Sequence, residues 1–138
     1  MIMLVDSNII VYALNKRTEK YKKARSFLRT NFQDLQIAQQ NILETLRVMT
    51  HPKYPNPIIS RKLIGKIEKF VFNLNLISPK VDTLFYTFGL IKKFKLKGNK
   101  IFDAYLVATM LTNGVKKIAT DNVSDFEKYK GIEVFNPF

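Results

Sequence analysis

The 138-residue chain contains no cysteine, which excludes a disulfide framework and any thiolate metal site. The same absence leaves the redox compartment open. Histidine is nearly missing too: His51 stands alone, which argues against a zinc centre. It precedes Pro52 in an expected loop and reads as structural or exposed. No apolar run approaches the roughly 18 residues that a membrane span needs. The opening run Met1–Val5 is cut off by Asp6 and is too short for a secretory leader, so the expected location is the cytoplasm. Nor is there an internal repeat, a low-complexity tract or a long Gly/Ser/Pro linker. One domain spanning residues 1–138 is expected.

Acidic residues are the other scarcity. Eleven Asp and Glu face 23 Lys and Arg, a formal charge of +12. Such a balance favours a polyanionic partner, above all nucleic acid, through counterion release. A lysine-rich solubilising surface is the plainer reading of the same composition.

Local breaks divide the chain at His51-Pro52, Pro55-Asn56-Pro57, Ser78-Pro79, Gly98-Asn99 and Asn113-Gly114. Ile2–Val5 is a continuous apolar run, as expected of a strand covered on both faces. Asn8–Asn15 and Glu19–Asn31 read as helices, Leu35–Ala38 as a short strand and Gln40–Thr50 as a helix. Ile59, Leu63, Ile67, Phe70 and Val71 keep helical spacing. Leu74–Ile77 is a weak strand, and Leu84, Phe88 and Ile91 mark a helix that runs into the basic tract Lys92–Lys100. Leu106, Val107, Met110 and Leu111 stripe a further helix closed by Gly114. Lys117–Ala119 and Ile132–Phe135 are the last strands. This alternation predicts an α/β domain with a mostly parallel sheet, whose sites gather at the carboxyl ends of the strands.

Against that frame the few acids stand at informative places. Asp6 ends the first strand, Glu44 lies on the helix after the second, and Asp103 opens the apolar helix. Asp121 and Asp125 fall in the expected loop after Lys117–Ala119. Three carboxylates converging to about 5 Å would repel by ~3 kcal/mol per pair at an effective dielectric near 20, roughly 10 kcal/mol together. A proton or a divalent cation must relieve that repulsion. Oxygen-only donors suit Mg²⁺ or Mn²⁺, ions that generate hydroxide and stabilise a phosphodiester in flight.

Four segments carry a family resemblance. MLVDSNIIVYAL (Met3–Leu14), QQNILETLRVMTHP (Gln39–Pro52), IFDAYLVATMLTNGVKKIATDNVSDF (Ile101–Phe126) and GIEVFNPF (Gly131–Phe138) resemble, in order and spacing, the segments of PIN domains. Each is weak alone; together they span nearly the whole chain. The resemblance implies a three-layer α/β/α fold around a mainly parallel five-stranded sheet. It implies a Mg²⁺- or Mn²⁺-dependent ribonuclease with Asp6, Glu44 and Asp103 as metal ligands or water-positioning groups. It further implies a small stand-alone toxin of the VapC kind, often a homodimer, silenced by a cognate antitoxin. The fourth acid falls on Asp125 or Asp121. The pattern Thr-x-Asn-x-x-Asp-Phe favours Asp125 as catalytic group and ligand, with Thr120 and Asn122 in support.

Each candidate has a plainer reading beside it. Asp6 suits a helix cap and Asp103 a first-turn partner of the helix dipole. Glu44 has Arg47 three residues on, so Arg47 is either its salt-bridge partner or a phosphate contact. Ser7 and Asn8 are helix-start residues or hydrogen bond to a bound water. Lys93, Lys95, Lys97 and Lys100, with Lys92, form the best candidate RNA-facing tract, or else a solvated helix end. Lys20, Lys22, Lys23 and Arg25 read as a plain solvent face, and the phenylalanines as core or dimer surface. The competing functions are a PIN fold that binds RNA or protein without cutting, and a phosphotransferase or phosphatase using Asp6 as nucleophile. The latter is weakened because Asn8 stands where a second acid would transfer the proton.

Overall fold

Met3, Leu4 and Val5 form strand β1, and their alternation sets the layers. Met3 and Val5 enter one apolar cluster and Leu4 another, because successive side chains of a strand leave opposite faces. A computed structural model describes residues 1–71 and 73–138; the side chain of Val71, last in the predicted stripe, lies outside the description. After β1 come α1 (Ser7–Leu14), α2 (Tyr21–Thr30), β2 (Leu35–Ala38), α3 (Gln39–Thr50) and α4 (Ser60–Val71). The second half runs β3 (Asn75–Ile77), α5 (Thr83–Phe94), α6 (Lys100–Thr112), β4 (Lys117–Ala119), α7 (Val123–Phe126) and β5 (Glu133–Phe135).

The five strands pair in the order β3-β2-β1-β4-β5, and every pairing is parallel. Leu4 lies opposite Ile118, and Met3 opposite Leu35, so the most apolar strands occupy the centre. On one face, Ile9, Ile10 and Ala13 of α1 and Ala24, Phe27 and Leu28 of α2 pack over the sheet. On the other, Leu106, Val107 and Met110 of α6 cover Leu4 and Ile118, with Phe126 and Tyr129 beside them. A third cluster joins Val11 of α1, Met49 of α3, and Leu63 and Ile67 of α4. This is the expected three-layer α/β/α arrangement.

One helix has an orientation that its spacing left open, and one local expectation is corrected. The spacing of Leu84 and Phe88 marks a helix, but α5 turns both outward and buries Thr83 and Thr87 instead. Thr87 donates to the Thr83 carbonyl at 2.8 Å, and the Thr83 and Thr112 hydroxyls pair at 2.8 Å, so small satisfied hydroxyls let α5 lie against α6. Asp125, expected in a loop, lies in the helical turn α7, which buried Phe126 anchors to the core. Gly114 adopts φ +73° after α6, the left-handed position a glycine takes without a Cβ penalty.

Ile118 is wholly inaccessible in β4, between β1 and β5. Ile118→Ala should lower the unfolding free energy by about 3 kcal/mol through lost burial and the cavity left behind, measured by urea denaturation. A loss under about 1 kcal/mol would mean the centre of the sheet is not a tightly packed core.

Candidate active site

The strand order reverses between β1 and β4, and in open parallel sheets such a switch point opens a crevice at the carboxyl ends. Asp6 leaves β1 there and Thr120 leaves β4. The Asp6 amide donates to the Ala119 carbonyl at 2.9 Å, extending the ladder one residue past the strand. The Asp6 side chain is nearly sealed, with only 5% of the residue exposed. A bare carboxylate in such a place is costly, and four donors compensate. Oδ1 accepts from the Ser7 amide at 2.8 Å and Asn41 Nδ2 at 3.4 Å, with the Ser7 hydroxyl oxygen 3.4 Å away. Oδ2 accepts from the Thr120 hydroxyl at 2.7 Å and Asn8 Nδ2 at 3.3 Å. Burial still dominates and pushes the Asp6 carboxyl up to about 6; the Thr120 and Ser7 hydrogen bonds oppose it, and the Glu44 charge adds to it.

Ser7 links this buried acid to the next. Its hydroxyl donates to Glu44 Oε2 at 2.9 Å, and Gln40 Nε2 donates to Glu44 Oε1 at 2.9 Å. The same Gln40 amide donates to the Phe102 carbonyl at 2.9 Å, tying α3 to α6 beside Asp103. Glu44 and Asp103 line one cleft of about 700 Å³, shared with Gln40, Arg47, Asn99 and Phe102. Asp103 is also pushed up to about 6, by burial first and then by Asp125, with Lys100 opposing and Asp6 and Glu44 adding smaller repulsions. Lys100 Nζ lies 2.5 Å from Asp125 and 3.9 Å from Asp103. Ser7 thus links Asp6 to Glu44, and Lys100 links Asp103 to Asp125.

Asp121 stands apart from that group. It is bound by Lys20 Nζ, and the Tyr12 hydroxyl donates to it at 2.8 Å. Burial pushes its carboxyl up, but the Lys20 and Tyr12 hydrogen bonds outweigh it and hold the carboxyl below the usual range. Lys20 also lies over the rings of Tyr12 and Phe138, so this member of the expected plain basic face is engaged in structure. Asn8 holds the Asp121 amide at 3.2 Å through Oδ1, and the Asn122 amide donates to the Thr120 hydroxyl at 2.9 Å. Asn122 itself is exposed. Position 8 therefore supplies hydrogen bonds, not a second acid. Arg47 is exposed on the rim of the cleft, and among the described residues it has no salt bridge to Glu44. Lys93, Lys95 and Lys97 are exposed in the segment leading to the cleft, whereas Lys100 turns into the acids.

Among the described residues, no three acidic or histidine side chains are close enough to form a ready metal cage. The tight convergence drawn from sequence is thus looser than expected. The donor set still fits a hard cation. Mg²⁺ keeps several waters and needs only one or two direct carboxylates. The Tyr129 hydroxyl is buried without a hydrogen-bond partner, and Tyr129 is only 2% exposed. Burial, then Asp103 and Asp125, push its phenol up to about 12. The Gln40 carbonyl oxygen, next to Glu44, is also unpartnered. Each has room in its hydrogen bonding for a hydrated cation among the acids.

Gln40, Asn41 and Tyr129 escape the sequence reading. Gln40 lies one helical turn before Glu44, so the i, i+4 spacing was a usable signal for it. Asn41 accepts from the Ala38 amide at 3.1 Å, the pattern of an asparagine in a first helical turn, but its reach to Asp6 depends on strand order. Tyr129 looks like any core aromatic.

A sequence model of the PIN domain matches residues 3–132. The chain belongs to the PIN domain family. None of the curated proteins compared is a significant match. Among solved structures, it is similar in fold to VapBC2 from Rickettsia felis bound to a promoter DNA fragment (TM-score 0.72, 20% identity, 99% of this chain and 98% of that one). A toxin–antitoxin complex from Klebsiella pneumoniae is similar too (TM-score 0.68, 20% identity, 99% and 98% covered). So is VapC20 of Mycobacterium tuberculosis, described as a sarcin-ricin loop cleaving toxin (TM-score 0.70, 11% identity, 94% and 98% covered).

A carboxyl whose folded value is raised binds more protons folded than unfolded between the two values. Stability therefore falls as pH rises from about 4 to about 6, and the loss persists at higher pH. In EDTA, Asp6→Asn should reduce that fall by up to about 3 kcal/mol, the scale of a two-unit shift. Urea denaturation at pH 4 and pH 7 reads it; an identical pH dependence in variant and parent would contradict the burial of an ionisable group there.

Proposed function

We propose that this PIN-domain protein is a ribonuclease dependent on Mg²⁺ or Mn²⁺, and the toxin of a toxin–antitoxin pair. The observation that carries the reading is that Glu44 and Asp103, from separate segments, line one cleft, with Asp6 joined to Glu44 through Ser7 and Asp125 joined to Asp103 through Lys100, in a chain otherwise poor in acids. Asp103, Glu44 and Asp125 would hold the ion directly or through water, with Asp6 beneath them. When bound, the ion supplies Lewis acidity toward a phosphodiester and lowers the pKa of a water.

The chain's own residues do the remaining work. Ser7, Asn8, Asn41 and Thr120 hold both oxygens of Asp6, which fixes the floor of the site. Gln40 keeps Glu44 facing α6. Arg47 on the rim and Lys93, Lys95 and Lys97 on the approach offer phosphate contacts beside a pocket that would otherwise repel a polyanion.

The partner side of the reading rests on the relatives. One similar structure is a toxin–antitoxin complex, and another relative is described as a toxin that cleaves the sarcin-ricin loop. RNA as substrate and an antitoxin as partner follow by that analogy of fold. Exposed Leu84, Phe85 and Phe88 on α5 support a homodimer, since a helix face of this kind is costly to leave in water. Among the described residues no helix is long and apolar enough to cross a membrane, and a cytoplasmic location belongs to the same reading.

The test is cleavage of a structured RNA with Mn²⁺ or Mg²⁺, with and without EDTA. Asp6→Asn and Asp103→Ala should each lose at least about a hundredfold in rate, the scale of removing one group that stabilises transition-state charge. Cleavage that survives EDTA or Asp6→Asn overturns the assignment. RNA bound with no metal-dependent cleavage favours a non-cutting PIN module. Reversing Lys93, Lys95 and Lys97 to Glu should lower the slope of log affinity against log salt by about 2, near 0.7 per single-strand phosphate contact. An unchanged slope removes this tract from the RNA surface.

A further inference from the structure

The acidic cleft already contains a cation, supplied by the chain itself. Lys100 opens α6, and its ammonium bridges Asp125 at 2.5 Å and Asp103 at 3.9 Å. Among the described residues neither carboxylate has another salt-bridge partner. The pairing joins α6 to α7, two elements that meet beside the end of β4. Lys100 is exposed at the lip of the site, and its flexible four-carbon stem can swing outward with no change in the backbone. Asp6 and Glu44 reach Asp103 only as weaker repulsions, so Lys100 is the local charge that balances Asp103 and Asp125.

We propose that Lys100 is a built-in counterion which a divalent cation must displace from Asp103 and Asp125, so that this lysine sets the metal concentration at which the site fills. The proposal rests on the reading of these acids as a metal site. It differs from the role expected of Lys100 from sequence, an outward RNA contact. A single positive charge leaves two facing carboxylates undercompensated, while a divalent cation neutralises the pair. Exchange is therefore favourable but opposed by the ion pairs that break. Displacement also frees one ammonium beside the cleft, at the end of the segment that carries the other exposed lysines of the tract.

The experiment is calorimetric titration of Mn²⁺ into EDTA-treated, dialysed full-length protein at one ionic strength. It compares the parent chain with Lys100→Met, Lys100→Arg and Lys97→Met. Lys100→Met should bind Mn²⁺ roughly three- to tenfold more tightly, the scale of one or two partly exposed ion pairs. Lys100→Arg keeps the competing charge and should bind no tighter than the parent, and Lys97→Met should leave affinity unchanged. Without metal, Lys100→Met should melt below the parent, and saturating Mn²⁺ should raise its melting temperature by more. Equal or weaker affinity in Lys100→Met, with Mn²⁺ still bound by the parent, overturns the displacement and leaves the metal site standing. Equal tightening in Lys97→Met overturns it too, since any lost positive charge would then serve. No Mn²⁺ binding in either the parent or Lys100→Met defeats the metal site itself, and the displacement with it.

Discussion

A carboxylate nearly sealed at the end of the central strand has to be satisfied mainly by the protein, because little of it reaches water. Asp6 is that group, and the donors it requires come from parts of the chain that share no local structure. Ser7 and Asn8 begin α1, Asn41 begins α3, and Thr120 follows β4. Holding four donors on two oxygens aligns the ends of β1, β2 and β4 at the switch point of the sheet. Helix start and strand end are thus set by one buried charge. The same demand lets Asp6 cap α1 and still stand beside the candidate site, two roles that sequence presents as alternatives.

Charge is distributed here by contrast. The chain carries +12 overall, yet sets Glu44 and Asp103 in a single cleft, with Asp6 and Asp125 each linked to them through one shared residue, Ser7 or Lys100. Burial and mutual repulsion push Asp6 and Asp103 up, a cost that a folded protein keeps only where something offsets it. Asp121 shows the other solution. It has the same residue type in the same stretch of chain, but Lys20 and Tyr12 satisfy it, and it helps lock the carboxyl terminus through Phe138. Proximity in sequence to Asp125 says nothing of this difference, because Asn122 to Phe126 turns the two acids toward different neighbours.

The strands and most helices were legible because their causes are local. A wholly apolar run such as Met3–Val5 reads as a buried strand, and the i, i+3, i+4 stripe of Leu106, Val107, Met110 and Leu111 reads as a helix. α5 was legible as a helix but not in its orientation. Leu84 and Phe88 have the right spacing for a core stripe, while the face that α6 accepts is the one bearing Thr83 and Thr87. Hydrophobic periodicity states that a helix has two faces; which face is covered depends on the neighbour.

The same division runs through the site. Sequence alone determined which side chains had the chemistry: scarce acids at strand ends and helix starts, no thiolate, one histidine, and segments resembling PIN domains in the right order. Tertiary structure alone decided which of them meet. Parallel pairing in the order β3-β2-β1-β4-β5 brings residue 6 within hydrogen-bonding reach of residue 120, and residue 100 within reach of residue 125. It also leaves Asp121 outside, admits Gln40 and Tyr129, and turns Lys100 inward. Residue chemistry is written position by position, but a site is a set of distances, and those exist only once the sheet has chosen its neighbours.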